Sequence, residues 1–334
     1  MKRLSWLGLG GRGNGQNGSR DNSTRKTGDA GTADEIVQNI LRIHSQLRKE
    51  TDLRPCKTVN ELLTKLVCVC TKVHDFSVTR EVLSNPSLQE VLPSIRSICA
   101  RAECCLESHW AEKIGSGNDA DEVHHLLKSF PYYGNYEQLA RLELCAICSL
   151  DPFPQKVAFI GSGPLPMTSL CILETMKNGL KGFESPPCST STDAHSASQV
   201  TVLNIDHDGA AIAVSQSLSK KLGQRGAGAE FLCTEAGSEA VDLRSFDVVY
   251  LAALVGSSQA EKEALVIKVV GTMRAGALIV IRSSWGLRTC LYSEFDVASE
   301  ALLQRLDVSL VLHPYGEIVN SVIIARVKGH PGGQ

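Results

Sequence analysis

The first half of the chain, from residue 33 to about residue 150, carries apolar residues at the spacing of amphipathic helices. Between residues 34 and 43 the apolar positions are 36, 37, 40, 41 and 43, which lie on one face of a helix. Thr58 and Glu61 have the spacing of a capping box, and Pro93 interrupts a later apolar stretch. The pattern predicts an all-α region with further helices over residues 58–72, over 88–113 as one helix or two, up to residue 129, and over 137–149.

A different pattern begins at Asp151, because the prolines at 152 and 154 cannot continue a helix. Short β-branched runs now alternate with helical segments, which favours parallel strands joined by crossover helices. Only residues 314–317 separate the last two runs, so these two strands are predicted to form an antiparallel hairpin at one side of the sheet. The predicted strands begin at residues 157, 200, 230, 247, 277, 308 and 318, and the predicted helices begin at 165, 209, 259 and 294, the last ending at 304.

Seven strands ending in such a hairpin are the arrangement of class I S-adenosylmethionine-dependent transferases rather than of dehydrogenases. The predicted fold class is therefore α/β, a class I methyltransferase-like Rossmann fold over residues 151–328 preceded by an all-α domain over residues 33–150. Residues 179–199, rich in Pro, Ser and Thr, are predicted to be a disordered loop insertion. Residues 1–32, rich in Gly, Ser and Asn, are predicted to be a disordered tail, with an organellar targeting peptide as the alternative.

The composition limits the classes of partner that this chain is expected to bind. The 34 basic and 36 acidic residues nearly balance, so the whole chain has no field that favours nucleic acid or an anionic membrane. No stretch approaches the ~20 apolar residues of a membrane span. Cys145 and Cys148 have metal-ligand spacing, but no second pair completes a site, and no bound metal is expected. We expect a cytoplasmic protein that acts on small molecules; its oligomeric state stays open.

Candidate ligand residues follow the predicted strands, because ligands of doubly wound sheets bind across the carboxyl ends of the strands. The first strand runs into a Gly-Ser-Gly turn that allows close backbone approach and precedes a helix N-terminus. An aspartate after the second strand is placed to receive ribose hydroxyls, although it could instead cap the next helix. An acid after the third strand could meet an adenine or be a solvated turn residue. The predicted cofactor-binding residues are Gly161, Ser162, Gly163, Asp206, Glu235, Ala252 and Ala253.

The helical half supplies candidate catalytic groups. Glu107 lies on a predicted helix otherwise lined with Cys, Leu and Trp, and apolar surroundings raise the proton affinity of a carboxylate to a range that suits a general base. The segment FPYYGNY, residues 130–136, brings Tyr132, Tyr133 and Tyr136 into one turn. These residues also have a structural interpretation. Glu107 could lie on a solvated helix face, and the tyrosines could cover apolar surface with a polar tip.

With these motifs assembled, the chain resembles the nicotianamine synthases over residues 35–328. The similarity is carried by FPYYGNY with LARLE, VAFIGSGPLPMTSL, FDVVYLAALVG, AGALIVIRSSWG and HPYGEIVNSVIIARV. Five ordered blocks make an accidental match improbable. The resemblance implies an aminocarboxypropyl transferase that uses three molecules of S-adenosylmethionine as substrate and donor. It further implies the release of three methylthioadenosine molecules and a product that chelates iron, copper, zinc and nickel in metal homeostasis.

In such a family a glutamate of the helical domain with a tyrosine alongside removes a proton from the attacking amine, and Glu107 and the FPYYGNY tyrosines are the matching positions. Arg282, after the fifth strand, is a candidate for pairing with a substrate carboxylate; a surface salt bridge is its alternative. The chain departs from the family pattern at Glu235, where Asp is common. It also departs at SSWG after Arg282, at LNIDHD and at the insertion 179–199. Two other functions stay open: a small-molecule amine methyltransferase, and an inactive cofactor-fold module.

Overall fold

The computed structural model describes residues 32–151, 154–178, 200–238, 241–256 and 258–329. Its N-terminal part is helical, as the apolar spacing predicts. Thr32 caps the first helix: its hydroxyl oxygen accepts a hydrogen bond from the Glu35 amide, and its own amide donates to the Glu35 carboxylate. The helices are α1 (Ala33–Leu47), α2 (Lys57–Thr71), α3 (Phe76–Ser84), α4 (Pro86–Gly115), α5 (Ala120–Lys128) and α6 (Tyr133–Cys148).

In the described part of the C-terminal half, seven strands form one sheet in the order β3-β2-β1-β4-β5-β7-β6. The strands β1 to β5 are parallel, and β7 runs antiparallel between β5 and β6. This confirms the predicted fold class and its terminal hairpin. The strands are β1 (Lys156–Ile160), β2 (Thr201–Asp206), β3 (Ala229–Cys233), β4 (Val248–Leu251), β5 (Leu278–Ser283), β6 (Leu306–Leu312) and β7 (Ser321–Val327), with the helices α7 (Met167–Asn178), α8 (Gly209–Lys221), α9 (Gln259–Gly271) and α10 (Glu300–Leu303).

Several predicted helix boundaries are wrong. Helix α2 begins at Lys57, so Thr58 lies inside it and is not its N-cap; the N-cap residue, Cys56, makes no side-chain cap hydrogen bond. Helix α4 is one continuous helix, which is one of the two predicted alternatives, and Pro93 lies on its exposed side. Helix α6 begins at Tyr133, four residues earlier than predicted. The helix Phe76–Ser84 was not predicted.

The predicted helix over residues 294–304 shrinks to the short α10. Side chains of neighbouring elements bind the backbone amides that a helix would need. The Phe295 amide donates to Ser283 Oγ at 2.8 Å, and the Asp296 amide donates to the side-chain oxygen of Gln259 at 2.9 Å. These bonds tie the segment to β5 and α9 in an irregular conformation.

The helical half packs on the sheet through a shared apolar core. One core cluster joins the C-terminal turns of α4, with α5 and α6, to β1, α7 and α8. A second cluster joins α1, α2, α3 and the start of α4 to the segment after β5. Helix α6 therefore packs on one face of the sheet, while Glu107 of α4 reaches the carboxyl end of β1 at Gly163. The division at residues 33–150 and 151–328 stays a prediction. The predicted tail, residues 1–32, and the predicted insertion, residues 179–199, lie outside the described residues, apart from Thr32.

Candidate active site

The loop after β1 is shaped by two glycines. Gly161 and Gly163 have φ angles of 82° and 62°, in the left-handed region that favours glycine. The Gly163 amide donates to Asp206 Oδ2 at 2.8 Å, which fixes the loop against the end of β2. The predicted turn therefore presents bare backbone to the space above the strands.

Asp206 ends β2 and is almost buried, with 11% of its side chain exposed. Its second oxygen, Oδ1, accepts the Asp208 amide at 3.0 Å. The cap of α8 is Asp208, which accepts the Ala210 amide at 2.8 Å. The helix-cap interpretation of Asp206 is therefore wrong. Its carboxylate instead holds the glycine loop in place through the Gly163 amide.

A cavity of about 580 Å³, which we call the donor cavity, opens above this loop. Gly161, Ser162, Ala252 and Ala253 line it, as the strand-end argument predicts. Ser162 is 6% exposed, and its Oγ has no hydrogen-bond partner among the described residues. A buried hydroxyl without a partner, beside two glycines, fits a polar ligand that enters the cavity.

Glu235 does not lie in the lining of the donor cavity. It follows β3 and is exposed, in a turn where its carbonyl accepts the Ser238 amide at 3.2 Å. Glu235 therefore lies in a solvated turn, which is the alternative interpretation of its sequence position. Its role toward an adenine stays a prediction.

A second, larger cavity of about 950 Å³, the acceptor cavity, lies between the helices and the segment before β7. Most of its wall is apolar, including Leu63, Val67, Leu106 and Leu139. Its polar groups are carboxylates, tyrosines and amides. Four residues line both cavities and so mark their junction: Glu103, Glu107, Tyr136 and Asn320.

Glu107 is the carboxylate at this junction that the sequence predicts. Tyr136 Oη donates to Glu107 Oε1 at 3.2 Å, while Oε2 faces the glycine loop at Gly163. Burial raises the pKa of Glu107 well above its usual value, and the negative charge of Glu103 raises it further. A carboxylate with raised proton affinity can take a proton from an amine in water-poor surroundings.

The structure separates the three candidate tyrosines. Tyr136 contacts Glu107, and Tyr132 lines the acceptor cavity. Tyr133 points elsewhere: its Oη donates to Glu174 of α7 at 3.2 Å, and it lines neither cavity. The geometry therefore makes Tyr136 the hydrogen-bond partner of Glu107 and does not bring Tyr133 to the site.

Arg282 is the penultimate residue of β5, not a residue after it, and it lines the donor cavity. Its guanidinium donates to both carboxylate oxygens of Glu143, at 2.9 and 3.0 Å, and to Thr168 Oγ1 at 3.0 Å. Both partners of this ion pair are buried, with 7% and 0% of the side chains exposed, so the surface salt bridge is wrong. Arg282 uses Nε and Nη2 in these bonds, and its role toward a substrate carboxylate stays a prediction.

Sequence reasoning missed Glu103, Tyr292 and Asn320. Glu103 precedes Glu107 by four residues on α4, so the same-face rule for helices could have found it. Tyr292 donates to Glu103 Oε2 at 2.6 Å from the irregular segment after β5, for which the sequence carries no periodic signal. Asn320 immediately precedes β7 and reaches the junction from the other side of the cavities.

The described residues hold neither a metal-binding cluster nor a membrane-spanning helix. Among them no group of three or more His, Cys, Asp or Glu side chains is arranged to hold a metal ion. Within the same part of the chain, no helix has the length and apolar character needed to cross a membrane.

A seven-stranded sheet of this order, with a glycine loop after β1 and an acid at the end of β2, has the fold of the class I S-adenosylmethionine-dependent transferases. The family model described as "Nicotianamine synthase protein" matches residues 29–331. The chain therefore belongs to the nicotianamine synthase family, and S-adenosylmethionine is its substrate.

Curated relatives agree in length and sequence. The chain is 32% identical over 301 residues to probable nicotianamine synthase 4 of Arabidopsis thaliana, covering 89% of this chain and 84% of that one. It is 32% identical over 297 residues to nicotianamine synthase 1 of Oryza sativa subsp. indica, covering 88% and 81%.

Solved structures show the same fold. A single-residue variant of MtNAS in complex with S-adenosylmethionine superposes with a TM-score of 0.69 at 19% identity, covering 88% of this chain and 98% of that one. MtNAS in complex with MTA and tNA gives a TM-score of 0.67 at 20% identity, covering 87% and 98%. At this identity the likeness is one of fold.

Proposed function

We propose that the junction of the two cavities carries out the successive 3-amino-3-carboxypropyl transfers by which three S-adenosylmethionine molecules give nicotianamine. The observation that carries this proposal is the position of Glu107, whose carboxylate faces the glycine loop of the donor cavity and also lines the acceptor cavity. A base at that point serves an amine in one cavity that attacks a donor in the other.

Two transfers join three S-adenosylmethionine molecules, and an amine of the resulting chain then attacks the γ-carbon beside the last sulfonium and closes the ring. Each of these three steps balances in the same way. The amine nitrogen gives up a proton, and its lone pair forms a bond to the γ-carbon of the methionine moiety. The bond from that carbon to the sulfonium breaks, and its electron pair stays on sulfur. Methylthioadenosine leaves as a neutral thioether. One proton is released for each bond formed, and Glu107 is the group we assign to receive it.

The other residues position the two reactants. The loop Gly161–Gly163 and Asp206 are assigned to the adenosine part of the donor, with Ser162 Oγ as an available hydrogen-bonding group. Tyr136 orients Glu107 through its hydroxyl. The apolar wall of the acceptor cavity keeps water from the sulfonium, which limits its hydrolysis.

Product analysis tests this function. Purified protein is incubated with S-adenosylmethionine alone, and the nucleoside products are separated by liquid chromatography and mass spectrometry. We expect methylthioadenosine and nicotianamine in a 3:1 ratio, following the stoichiometry above. S-adenosylhomocysteine formed with an added amine would assign a methyltransferase, and bound but unconverted donor would assign an inactive module.

Glu107→Gln tests the base within the same assay. The amide keeps the size and the hydrogen bond from Tyr136 but cannot accept a proton, so turnover should fall by about 10²-fold or more while donor binding stays within about twofold. Glu112→Gln, an exposed change on the same helix, is the matched control. Equal turnover in the two variants would remove Glu107 from the mechanism.

We also propose that the enzyme works in the cytoplasm and that its product serves metal homeostasis. The near balance of charge is consistent with a cytoplasmic enzyme. A fluorescent fusion of the full chain, compared with one that lacks residues 1–32, tests the location. Fluorescence in an organelle that requires residues 1–32 would contradict the cytoplasmic location and identify these residues as a targeting peptide.

A further inference from the structure

A buried lysine lies behind the loop that follows β4. Lys262, near the start of α9, is 4% exposed. Its Nζ donates to the carbonyl oxygens of Ala252 at 3.4 Å, of Ala253 at 3.2 Å and of Arg282 at 2.8 Å. Burial lowers the pKa of Lys262 to about 8, so the ammonium form predominates at pH 7. An ammonium group has three donors, and these three carbonyls offset its loss of water.

The three carbonyls belong to two strand ends that border the donor cavity. Ala252 and Ala253 follow β4, and Arg282 lies at the end of β5. All three residues line the donor cavity, whereas Lys262 does not. The lysine therefore holds the wall of the cavity from behind and does not touch a ligand inside it.

The loop that Lys262 holds, residues 252–256, also packs against the glycine loop. A Cβ atom added to Gly161 would collide with Val255 Cγ2. A Cβ atom added to Gly256 would lie 2.8 Å from the Cα and Cβ atoms of Lys262. The loop is therefore in close contact with α9 at one point and with Gly161 at another, so a shift of the loop would alter the wall of the donor cavity on both sides of β1.

We propose that Lys262 is a positioning residue for the donor, which holds residues 252–256 in the conformation that accepts S-adenosylmethionine. Without its hydrogen bonds the loop would occupy other conformations for part of the time. The apparent dissociation constant then rises by the inverse of the fraction that stays competent. This inference rests on the proposed function, because it takes the cavity beside the loop to be the donor site.

Lys262→Met tests the role of the ammonium group, since methionine nearly keeps the length of the side chain and removes all three donors. We expect the dissociation constant for S-adenosylmethionine, measured by calorimetry, to rise about tenfold, as for one lost hydrogen bond from a charged group. Turnover at saturating donor should fall by less than about threefold, because the contact of Tyr136 with Glu107 is formed by α4 and α6. Equal losses in affinity and in turnover would contradict a role limited to the donor.

Two control variants of α9 separate positioning from stability. Val266→Ala removes buried apolar contacts one turn further along the helix, and Lys268→Met makes the same charge change at an exposed position. Both controls should bind S-adenosylmethionine within about twofold of the wild type, and urea unfolding measures how much stability each variant loses. A loss of affinity in Val266→Ala as large as that in Lys262→Met would reduce Lys262 to a residue of the core.

Hydrogen–deuterium exchange follows the loop itself. The Ala252 amide donates to the Ile160 carbonyl at 3.0 Å, and the Val255 amide donates to the Ala252 carbonyl at 3.3 Å. Both amides should exchange faster in Lys262→Met without donor and regain protection when S-adenosylmethionine is saturating. Either unchanged exchange over residues 251–256 or a wild-type dissociation constant in Lys262→Met would overturn the inference and leave the proposed function intact. Wild-type protein that binds no S-adenosylmethionine would overturn both.

Discussion

Glu107 Oε2 lies so close to Gly163 that a Cβ atom added to this glycine would be 2.8 Å from it. The carboxylate of α4 therefore rests on the bare backbone of the donor loop. The same glycine gives its amide to Asp206. Gly163 thus contacts both Glu107, which we assign as the base, and Asp206, which we assign to the ribose. Helix α4 meets the sheet at this residue.

Gly163→Ala should damage this contact. The added methyl group would push the Glu107 carboxylate away, and the φ angle of 62° would cost about 1–2 kcal/mol for a non-glycine residue. We expect turnover to fall at least about tenfold, which corresponds to about 1.4 kcal/mol in the transition-state barrier. Steady-state kinetics and urea unfolding measure the two effects.

Gly134→Ala is the control for that change. Gly134 lies in α6 with no atom within 4 Å of an added Cβ, so alanine should be accepted or slightly stabilising. Turnover that is unchanged in Gly163→Ala, with the control behaving as expected, would show that Glu107 does not need its position over the loop.

Tyr136→Phe should reduce turnover, whereas Tyr133→Phe should leave it near the wild-type value. Removal of the Tyr136 hydroxyl frees the Glu107 carboxylate to rotate, while the Tyr133 hydroxyl bonds Glu174 away from both cavities. We expect a loss of about tenfold for the first variant, as for one hydrogen bond to a charged group. If Tyr133→Phe lost more activity than Tyr136→Phe, the assignment of the two tyrosines would be reversed.

The strand-end residues could be predicted because the carboxyl ends of parallel strands meet at one edge whatever the details of packing. This is why Gly161, Ser162, Ala252 and Ala253 came together as predicted. Glu235 did not reach the cavity, since β3 is the edge strand and its following turn faces solvent.

The tyrosines could not be distinguished in this way. Which face of α6 meets α4 depends on where the helix begins, and the predicted start was four residues late. Tyr292 and Asn320 lie in irregular segments, positioned by contacts that are distant in sequence, so no local pattern indicates them. Glu103 was within reach, because helix geometry places it on the same face as Glu107.

Asp206→Ala and Asp208→Ala should separate binding from capping. Asp206 fixes the glycine loop, so its loss should weaken S-adenosylmethionine binding about tenfold or more, as for lost bonds to a charged acceptor. Asp208 caps α8, so its loss should cost about 1 kcal/mol of unfolding free energy with little change in affinity. Calorimetric titration and urea unfolding of both variants check this, and an unaltered dissociation constant in Asp206→Ala would contradict it.

The raised pKa of Glu107 predicts a pH-dependent stability. A glutamate in the unfolded chain has a pKa of about 4.3, and burial raises the pKa of Glu107 in the folded protein. Between these two values the folded state binds more protons, so the unfolding free energy falls as pH rises, by at most about 1.4 kcal/mol per pH unit for one proton. Below the pKa of the unfolded chain both states bind the proton, so the slope disappears.

Glu107→Gln should flatten the pH slope of stability, since the amide does not titrate and no longer repels the charge of Glu103. Urea unfolding at pH 5, 6 and 7 measures this, with Glu112→Gln as the control that keeps the wild-type slope. Parallel curves for wild type and Glu107→Gln would mean that Glu107 titrates in the folded protein as it does in the unfolded chain.

Glu143→Ala should destabilise the protein more than any exposed ion-pair change. Glu143 is fully buried and gives both oxygens to Arg282, so its removal leaves a buried guanidinium without its partner at the floor of the donor cavity. Breaking one side of such a pair costs about 3–5 kcal/mol. The exposed pair of Arg225 and Asp121, at 3.0 Å, offers a control in Asp121→Asn, which should leave the unfolding free energy nearly unchanged. Urea unfolding compares the change in unfolding free energy of the two variants. Equal changes would mean that Arg282 finds another partner in Glu143→Ala, because a buried guanidinium without one would lower the unfolding free energy by more than the exposed change does.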